Sequence, residues 1–246
     1  MVDVVAQYRQ VRERVDQACR EAGREPGSVR LLPVSKTWPV AHLEPLLAEL
    51  GEQAWLAENK VQEAQGKAAE LSDRGIPARW SIIGHLQRNK ARHVAEFAGE
   101  LQTLDSERLA VELNKRLETA DRTLQVLLQI NTSGESQKAG IEPEAALDLA
   151  RALAPLERLQ LRGLMTVPIA AAEAGPEPEQ AIAACYDRLV QVQDQLRQDG
   201  GVPGGVDELS MGMSQDFELA IAHGATTVRV GTAIFGGRSY PEQPTA

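Results

Sequence analysis

A (β/α)8 TIM-like barrel with an extra N-terminal helix is the fold this sequence predicts, on three observations. Apolar, β-rich runs alternate strictly with amphipathic helical stretches, which implies a parallel sheet with helical crossovers. Eight strand-then-helix units can be counted along the chain, the number a closed barrel needs. The turn after the first strand reads SKTWP, without the glycine-rich signature that opens a doubly wound sheet. A barrel of this kind fits a chain of 246 residues, so residues 1–246 are expected to form one domain, with a polar tail at 237–246.

The first element is a helix over about residues 2–23, with Val4, Tyr8, Val11, Val15, Ala18 and Ala22 on one face and Gly23 as its stop. A single apolar stripe means that it packs on the outside of something else. The run VRLLPVSKT at 29–37 reads as a strand buried on both faces, and a helix at about 40–50 ends at Gly51. A strand near 53–59 precedes a helix carrying Val61, Ala64, Ala68 and Leu71. A strand near 79–84 leads to a short helix at about 87–97, and the run 101–104 to a helix with Leu109, Leu113 and Leu117. The strongest strand, 124–131, is followed by a helix at about 143–153, and 159–167 by one at about 179–197. Residues 208–211 lead to a helix at about 215–223, and 226–230 to a short terminal turn at 233–235. AAAEAGPEPE at 170–179 is a polar loop, and GGVPGG at 200–205 a flexible connection.

A net charge of -9 without a basic face argues against a nucleic-acid or anionic-membrane partner. No apolar run reaches the length of a membrane span, and the N-terminal stretch is charged and periodic, unlike a signal peptide. Cys185 lies on the stripe of Ala181, Leu189, Val192 and Leu196, and Cys19 beside a similar one, so both read as core residues. Neither belongs to a metal-binding cluster, and no metal site is expected; a reducing cytoplasm is the expected compartment.

Active sites of barrels lie at the carboxyl ends of the strands. There the chain collects Lys36, Asn59, His85, Asn131, Ser214 and Gly231. On a strand, Leu32, Val34 and Lys36 point one way. An ammonium among apolar neighbours is desolvated, which lowers its pKa and makes the amine a nucleophile able to form a Schiff base with an aldehyde. The plainer alternative is a strand-end lysine reaching to water. Ser214 precedes a helix carrying Asp216 and Phe217, where a serine N-cap is expected. Asn59, with Gln62 three residues on, makes a fair capping box, alone or together with a ligand contact. On the last strand Thr227, Arg229 and Gly231 share a face opposite Val228 and Val230, which puts an arginine inside the barrel, in need of a partner. Gly231 and Thr232 open a short helical turn, suited to close approach of an anion. A rim lysine, an anion cradle after the last two strands and an inward arginine together describe a phosphorylated carbonyl ligand, and pyridoxal 5′-phosphate (PLP) fits. His85 and Lys138 reach the same rim by position, though a solvated loop charge is the plainer reading of Lys138.

The chain resembles the pyridoxal-phosphate homeostasis proteins, single-domain barrels similar to the N-terminal domain of bacterial alanine racemases. The resemblance covers nearly the whole chain. It is carried by VSKT at 34–37, ENKVQEA at 58–64, IGHLQRNKAR at 83–92, QINTSGESQKAGI at 129–141, RGLMTVP at 162–168, LSMGMSQDFELAIAHGAT at 209–226 and VRVGTAIFG at 228–236. It implies Lys36 as the Schiff-base lysine, Arg229 beside the pyridine nitrogen, Ser214, Gly231 and Thr232 as the phosphate cradle, and Asn59 as a further cofactor contact. Ala57 and Lys60, flanking Glu58 and Asn59, depart from the family pattern.

The implied role is PLP binding in vitamin B6 and amino-acid balance, without catalysis, with PLP-dependent apoenzymes as candidate recipients. Barrel racemases use a second, β-rich domain for acid–base chemistry, and no such domain is read here. An arginine at the pyridine nitrogen also weakens the electron sink that carbanion chemistry needs. The alternatives are an amino-acid racemase-like PLP enzyme and, further off, a Schiff-base aldolase.

Overall fold

The computed structural model describes residues 3–135 and 139–237. The chain opens with helix α1 (Val4–Glu21), whose first turn is capped by the Asp3 side chain accepting from the Ala6 N–H at 3.0 Å. Strand and helix then alternate: β1 (Arg30–Pro33), α2 (Val40–Leu50), β2 (Trp55–Glu58), α3 (Val61–Asp73), β3 (Arg79–Ile82), α4 (Ala91–Phe97), β4 (Glu100–Leu104) and α5 (Glu107–Ala120). The second half continues with β5 (Leu124–Gln129), α6 (Ala146–Ala152), β6 (Leu159–Met165), α7 (Pro178–Gln198), β7 (Glu208–Ser210), α8 (Phe217–Ala222), β8 (Thr227–Val230) and α9 (Thr232–Phe235). The strands are parallel, as the alternation requires, and each pairs with its sequence neighbours from β2 to β8. β8 then pairs with β1, Arg30 opposite Thr227 and Leu32 opposite Arg229.

The ring closes between β1 and β2 through one parallel bridge, Val34 to Ala57. The β7–β8 pairing is equally short, with Ser210 opposite Thr227. The helix α1 lies outside the barrel, packed on α2, α8 and α9, as a single apolar stripe demands. The main core fills the layer between strands and helices, with Leu31, Leu56, Ile82, Val228 and Val230 facing outward into it. Leu32, Val34 and Ala57 form a separate small cluster on the inner side. The interior also carries polar side chains: Ser81, Glu100, Gln102, Ser210, Thr227 and Arg229 are all buried.

Several expected boundaries shift. The stretches before α4 and α6 begin as 3-10 turns, Arg88–Lys90 and Pro143–Ala145. Strand β4 starts one residue early, at Glu100 rather than Leu101, so a carboxylate enters the barrel. Cys19 and Cys185 are free and buried, as core residues should be. The polar tail beyond Gly237 lies outside the described residues.

Candidate functional site

Strand β1 ends at Pro33, and after the Val34 bridge the Ser35 N–H still donates to the Ala57 carbonyl at 3.0 Å. Lys36 therefore stands in a turn, half-buried, and not on the strand as its alternation with Leu32 and Val34 predicts. The pleat no longer sets its direction; the turn does. Thr37 follows with φ at 73°, a left-handed conformation rare for a β-branched residue. A buried cluster holds this turn. Ser35 Oγ donates to Glu58 Oε1 at 2.8 Å, and Lys67 Nζ donates to Glu58 Oε1 at 2.5 Å and Glu63 Oε1 at 2.8 Å. Burial pushes the Glu58 carboxyl up, against the lowering hydrogen bond and charge of Lys67. Burial also raises Glu63, but the hydrogen bonds of Lys67 and the Thr37 N–H outweigh it, and its carboxyl lies below the usual range.

Arg229 lies inside the barrel on β8, as its alternation with Val228 and Val230 predicts, and it is buried. Its bonds go to neutral acceptors: Nη1 donates to Ser210 Oγ and Nη2 to the Thr166 carbonyl, each at 2.8 Å. Among the described residues it makes no salt bridge, and the partner it needs is supplied by a hydrogen-bonded chain. Ser210 Oγ donates to Gln102 Oε1 at 2.6 Å, and Gln102 Nε2 donates to Glu100 Oε1. Glu100 also accepts from Arg30 Nη2 at 3.0 and 2.8 Å and from Ser81 Oγ at 2.6 Å. Every link is oriented from the guanidinium toward the carboxylate, so each polarises the next. Burial pulls the Arg229 pKa down to about 10, with Tyr186 and Asp216 opposing, which leaves it charged at neutral pH.

The start of α9 meets the loop after β7. Gly231 is the N-cap of α9 and Thr232 its first residue, exposed. A Cβ at Gly231 would sit 3.2 Å from the Val34 carbonyl, so the glycine lets β8 lie against the segment leading to Lys36. Ser214 is not the N-cap of α8. Asp216 takes that position, accepting from the Met213 N–H at 2.5 Å and from the Tyr186 hydroxyl at 2.9 Å. Asp216 holds that position without a side-chain capping bond to α8, because the turn through 214–216 carries Ser214 away from the helix start. Its Oγ instead accepts from the Ala233 N–H at 3.5 Å, which ties the β7 loop to the first turn of α9.

Asn59 is exposed just past β2, and the capping box predicted for it does not form, because Lys60 is the N-cap of α3. A Cβ at Gly84 would fall 2.0 Å from the Asn59 carbonyl, so the β2 and β3 ends touch through that glycine. His85 is largely exposed, its Nδ1 3.2 Å from Asp105 Oδ2. Asn131 is buried and occupied with its own loop, donating to the Glu135 carbonyl and to Glu142. Lys138 lies outside the described residues. The ends of β1, β2 and β8 and the β7 loop thus adjoin one another, carrying Lys36, Asn59, Gly231, Thr232 and Ser214, with Arg229 below them. Two surface grooves, of about 520 and 640 Å³, lie elsewhere, around Glu52, Gly75, Ile76 and Pro77. They offer no amine or arginine to a ligand.

Sequence reasoning missed Glu58, Lys67, Glu100 and Gln102. The signal for Glu100 and Gln102 was present as a polar period of two in ELQTL. Lys67 gave only an ordinary spacing of four from Glu63 on an amphipathic helix.

The family described as alanine racemase, N-terminal domain, matches residues 7–239. A pyridoxal phosphate homeostasis protein of Haemophilus influenzae is 41% identical over 231 residues, 94% of this chain and 94% of that protein. A crystal structure of an unknown protein from Bifidobacterium adolescentis matches with a TM-score of 0.81 and 33% identity, over 95% of this chain and 97% of that one. PipY of Synechococcus elongatus, with PLP bound, matches with a TM-score of 0.66 and 34% identity, over 90% of this chain and 100% of that one.

Proposed function

Because the chain belongs to the pyridoxal phosphate homeostasis protein family, built on the alanine racemase N-terminal domain, we propose that it binds PLP at these strand ends and acts in vitamin B6 and amino-acid balance rather than as a catalyst. The contact that carries this reading is Gly231 against Val34, which sets the start of α9 beside the turn of Lys36. An amine and an anion-binding backbone then lie within the span of one small ligand.

The residues suit that ligand. Lys36 supplies the amine; in its uncharged form it adds to the aldehyde carbon, and its two N–H hydrogens leave with the carbonyl oxygen as one water, giving a Schiff base. The N–H groups opening α9, with Thr232 and the Ser214 hydroxyl, suit a phosphate. Arg229, charged and hydrogen-bonded to neutral acceptors, suits the pyridine nitrogen and disfavours its protonation. That last feature supports a carrier over a racemase, because an unprotonated ring accepts electrons poorly. Asn59, exposed at the same rim, is the further contact. PLP-dependent apoenzymes are the proposed recipients and the cytoplasm the proposed compartment, in keeping with two free, buried cysteines.

Borohydride reduction of the PLP-loaded protein, followed by peptide mapping, tests the reading. The expected adduct is on Lys36; an adduct on Lys60, Lys90 or Lys138 would sink it.

The phosphate end is tested separately. Gly231→Val places a branched side chain against the Val34 backbone and is expected to weaken PLP binding far more than Ser214→Ala does. Ser214→Ala removes one hydroxyl among several donors, a loss of about 1.5–3 kcal/mol at most, or roughly ten- to a hundredfold in affinity. Pyridoxal without its phosphate is the control. If both variants weaken pyridoxal and PLP equally, the phosphate does not lie there.

A further inference from the structure

Lys36 is flanked by two peptide groups that one buried ion cluster grips from either side. The carbonyl before it, Ser35 O, accepts from Lys67 Nζ at 2.9 Å. The amide after it, Thr37 N–H, donates to Glu63 Oε1 at 2.6 Å. Lys67 joins the two grips, since its ammonium also bonds Glu63 Oε1 at 2.8 Å and Glu58 Oε1 at 2.5 Å. Glu58 completes the cage by accepting from Ser35 Oγ at 2.8 Å. Helix α3 thus presses its Glu63–Lys67 edge onto the turn, at the seam where β1 and β2 share one bridge.

Stability alone is a poor account of this cluster. Lys67 is 7% exposed and Glu58 fully buried, and ions taken from water recover little net energy even when paired. Apolar side chains would fasten the same seam at lower desolvation cost. What apolar side chains could not do is fix the orientation of two particular peptide groups. Both groups adjoin Lys36, and the second belongs to Thr37, held at φ 73°. A rotation of either peptide swings the lysine side chain between them.

Resting on the Lys36 reading above, we propose that Glu63 and Lys67 are positioning residues for Lys36, acting through the turn to aim its amine at the strand ends. The aldehyde can then be met in one geometry without a search over turn conformers. Such alignment is where rate is gained or lost, with misplacement of about 1 Å costing on the order of a hundredfold.

The test uses the full-length apoprotein as wild type, Glu63→Ala, Glu63→Gln, Lys67→Met and Lys67→Arg. Schiff-base formation on adding PLP is followed by visible absorption, binding by affinity for pyridoxine 5′-phosphate, which has no aldehyde, and folding by melting temperature. Glu63→Ala is expected to slow Schiff-base formation by roughly ten- to a hundredfold while leaving pyridoxine 5′-phosphate affinity unchanged. Glu63→Gln retains an acceptor for the Thr37 N–H and is expected to restore the rate. Lys67→Met should slow the reaction at least as much, with Lys67→Arg recovering part of it. Should Lys67→Met not fold, Glu63→Ala, whose side chain is only partly buried, decides the question alone. A lower melting temperature with an unchanged rate would make the cluster a seam fastener and overturn the proposal. Equal losses of rate and pyridoxine 5′-phosphate affinity would overturn it too, since the whole pocket would then have moved. If wild type itself gives no Lys36 adduct, the Lys36 reading has failed and this proposal falls with it.

Discussion

Lys36→Ala is expected to abolish the visible Schiff-base absorption and the retention of PLP through dialysis, with the fold intact. The side chain is half-buried in a turn after β1, so its loss leaves the hydrogen bonds of the strand ladder in place. Substitutions of that kind usually change stability by about 0.5 kcal/mol or less, a shift of roughly 2 °C in a chain of this size. Retention depends on more. On the proposed reading, PLP without the covalent bond would be held only by its phosphate and ring contacts, which dialysis is expected to break. The measurements are absorption before and after dialysis and a thermal melt on the same samples. A variant that stays yellow and keeps its PLP would show that another amine holds the cofactor. Amino-acid turnover gives the companion check: robust racemisation by wild type that disappears in Lys36→Ala would replace the carrier reading with a racemase-like enzyme.

The second large effect is on stability. Glu100→Ala is expected to cost about 3–5 kcal/mol, because it strips the carboxylate on which three donors converge through four hydrogen bonds. Arg30, Ser81 and Gln102 all bond Glu100, and Glu100 is fully buried. Removing it leaves the Arg30 guanidinium partly buried without its charge partner and the Gln102 amide without an acceptor. Urea denaturation reads the loss as a lowered midpoint at unchanged slope. The double variant Arg30→Met with Glu100→Leu removes both charges and should regain much of the stability. It should not regain cofactor affinity, since Arg229 has lost the carboxylate at the end of its chain through Ser210 and Gln102. Affinity recovering in step with stability would show that the chain matters only to folding.

The barrel was legible because its evidence is local and repeated. Each strand announces itself by an apolar run, each helix by a stripe, and alternation of the two leaves few topologies. The inward Arg229 was legible for the same reason: Val228 and Val230 must face the helices, so the residue between them must face in. Gly231 and Thr232 at the start of α9 followed from the last strand ending where a short turn begins.

The misplacements share another cause. Ser214 and Asp216 both suit an N-cap by type, and the long-range bond that fixes Asp216 comes from the Tyr186 hydroxyl, arriving from α7. Asn59 and Gln62 have the spacing of a capping box, but the chain enters α3 through Lys60. Lys36 keeps the strand's alternation on paper, yet β1 runs out of partners at Val34 because the seam with β2 is a single bridge. Local pattern therefore determined the strands, the helices, their order and the inward arginine. Tertiary structure decided what holds the lysine and the arginine in place: Lys67 on the Ser35 carbonyl, 32 positions away, and Gln102 on Ser210, 108 positions away. No local pattern encodes such pairs, since they form only after the barrel has closed and each polar group has met whichever partner the fold brings within reach.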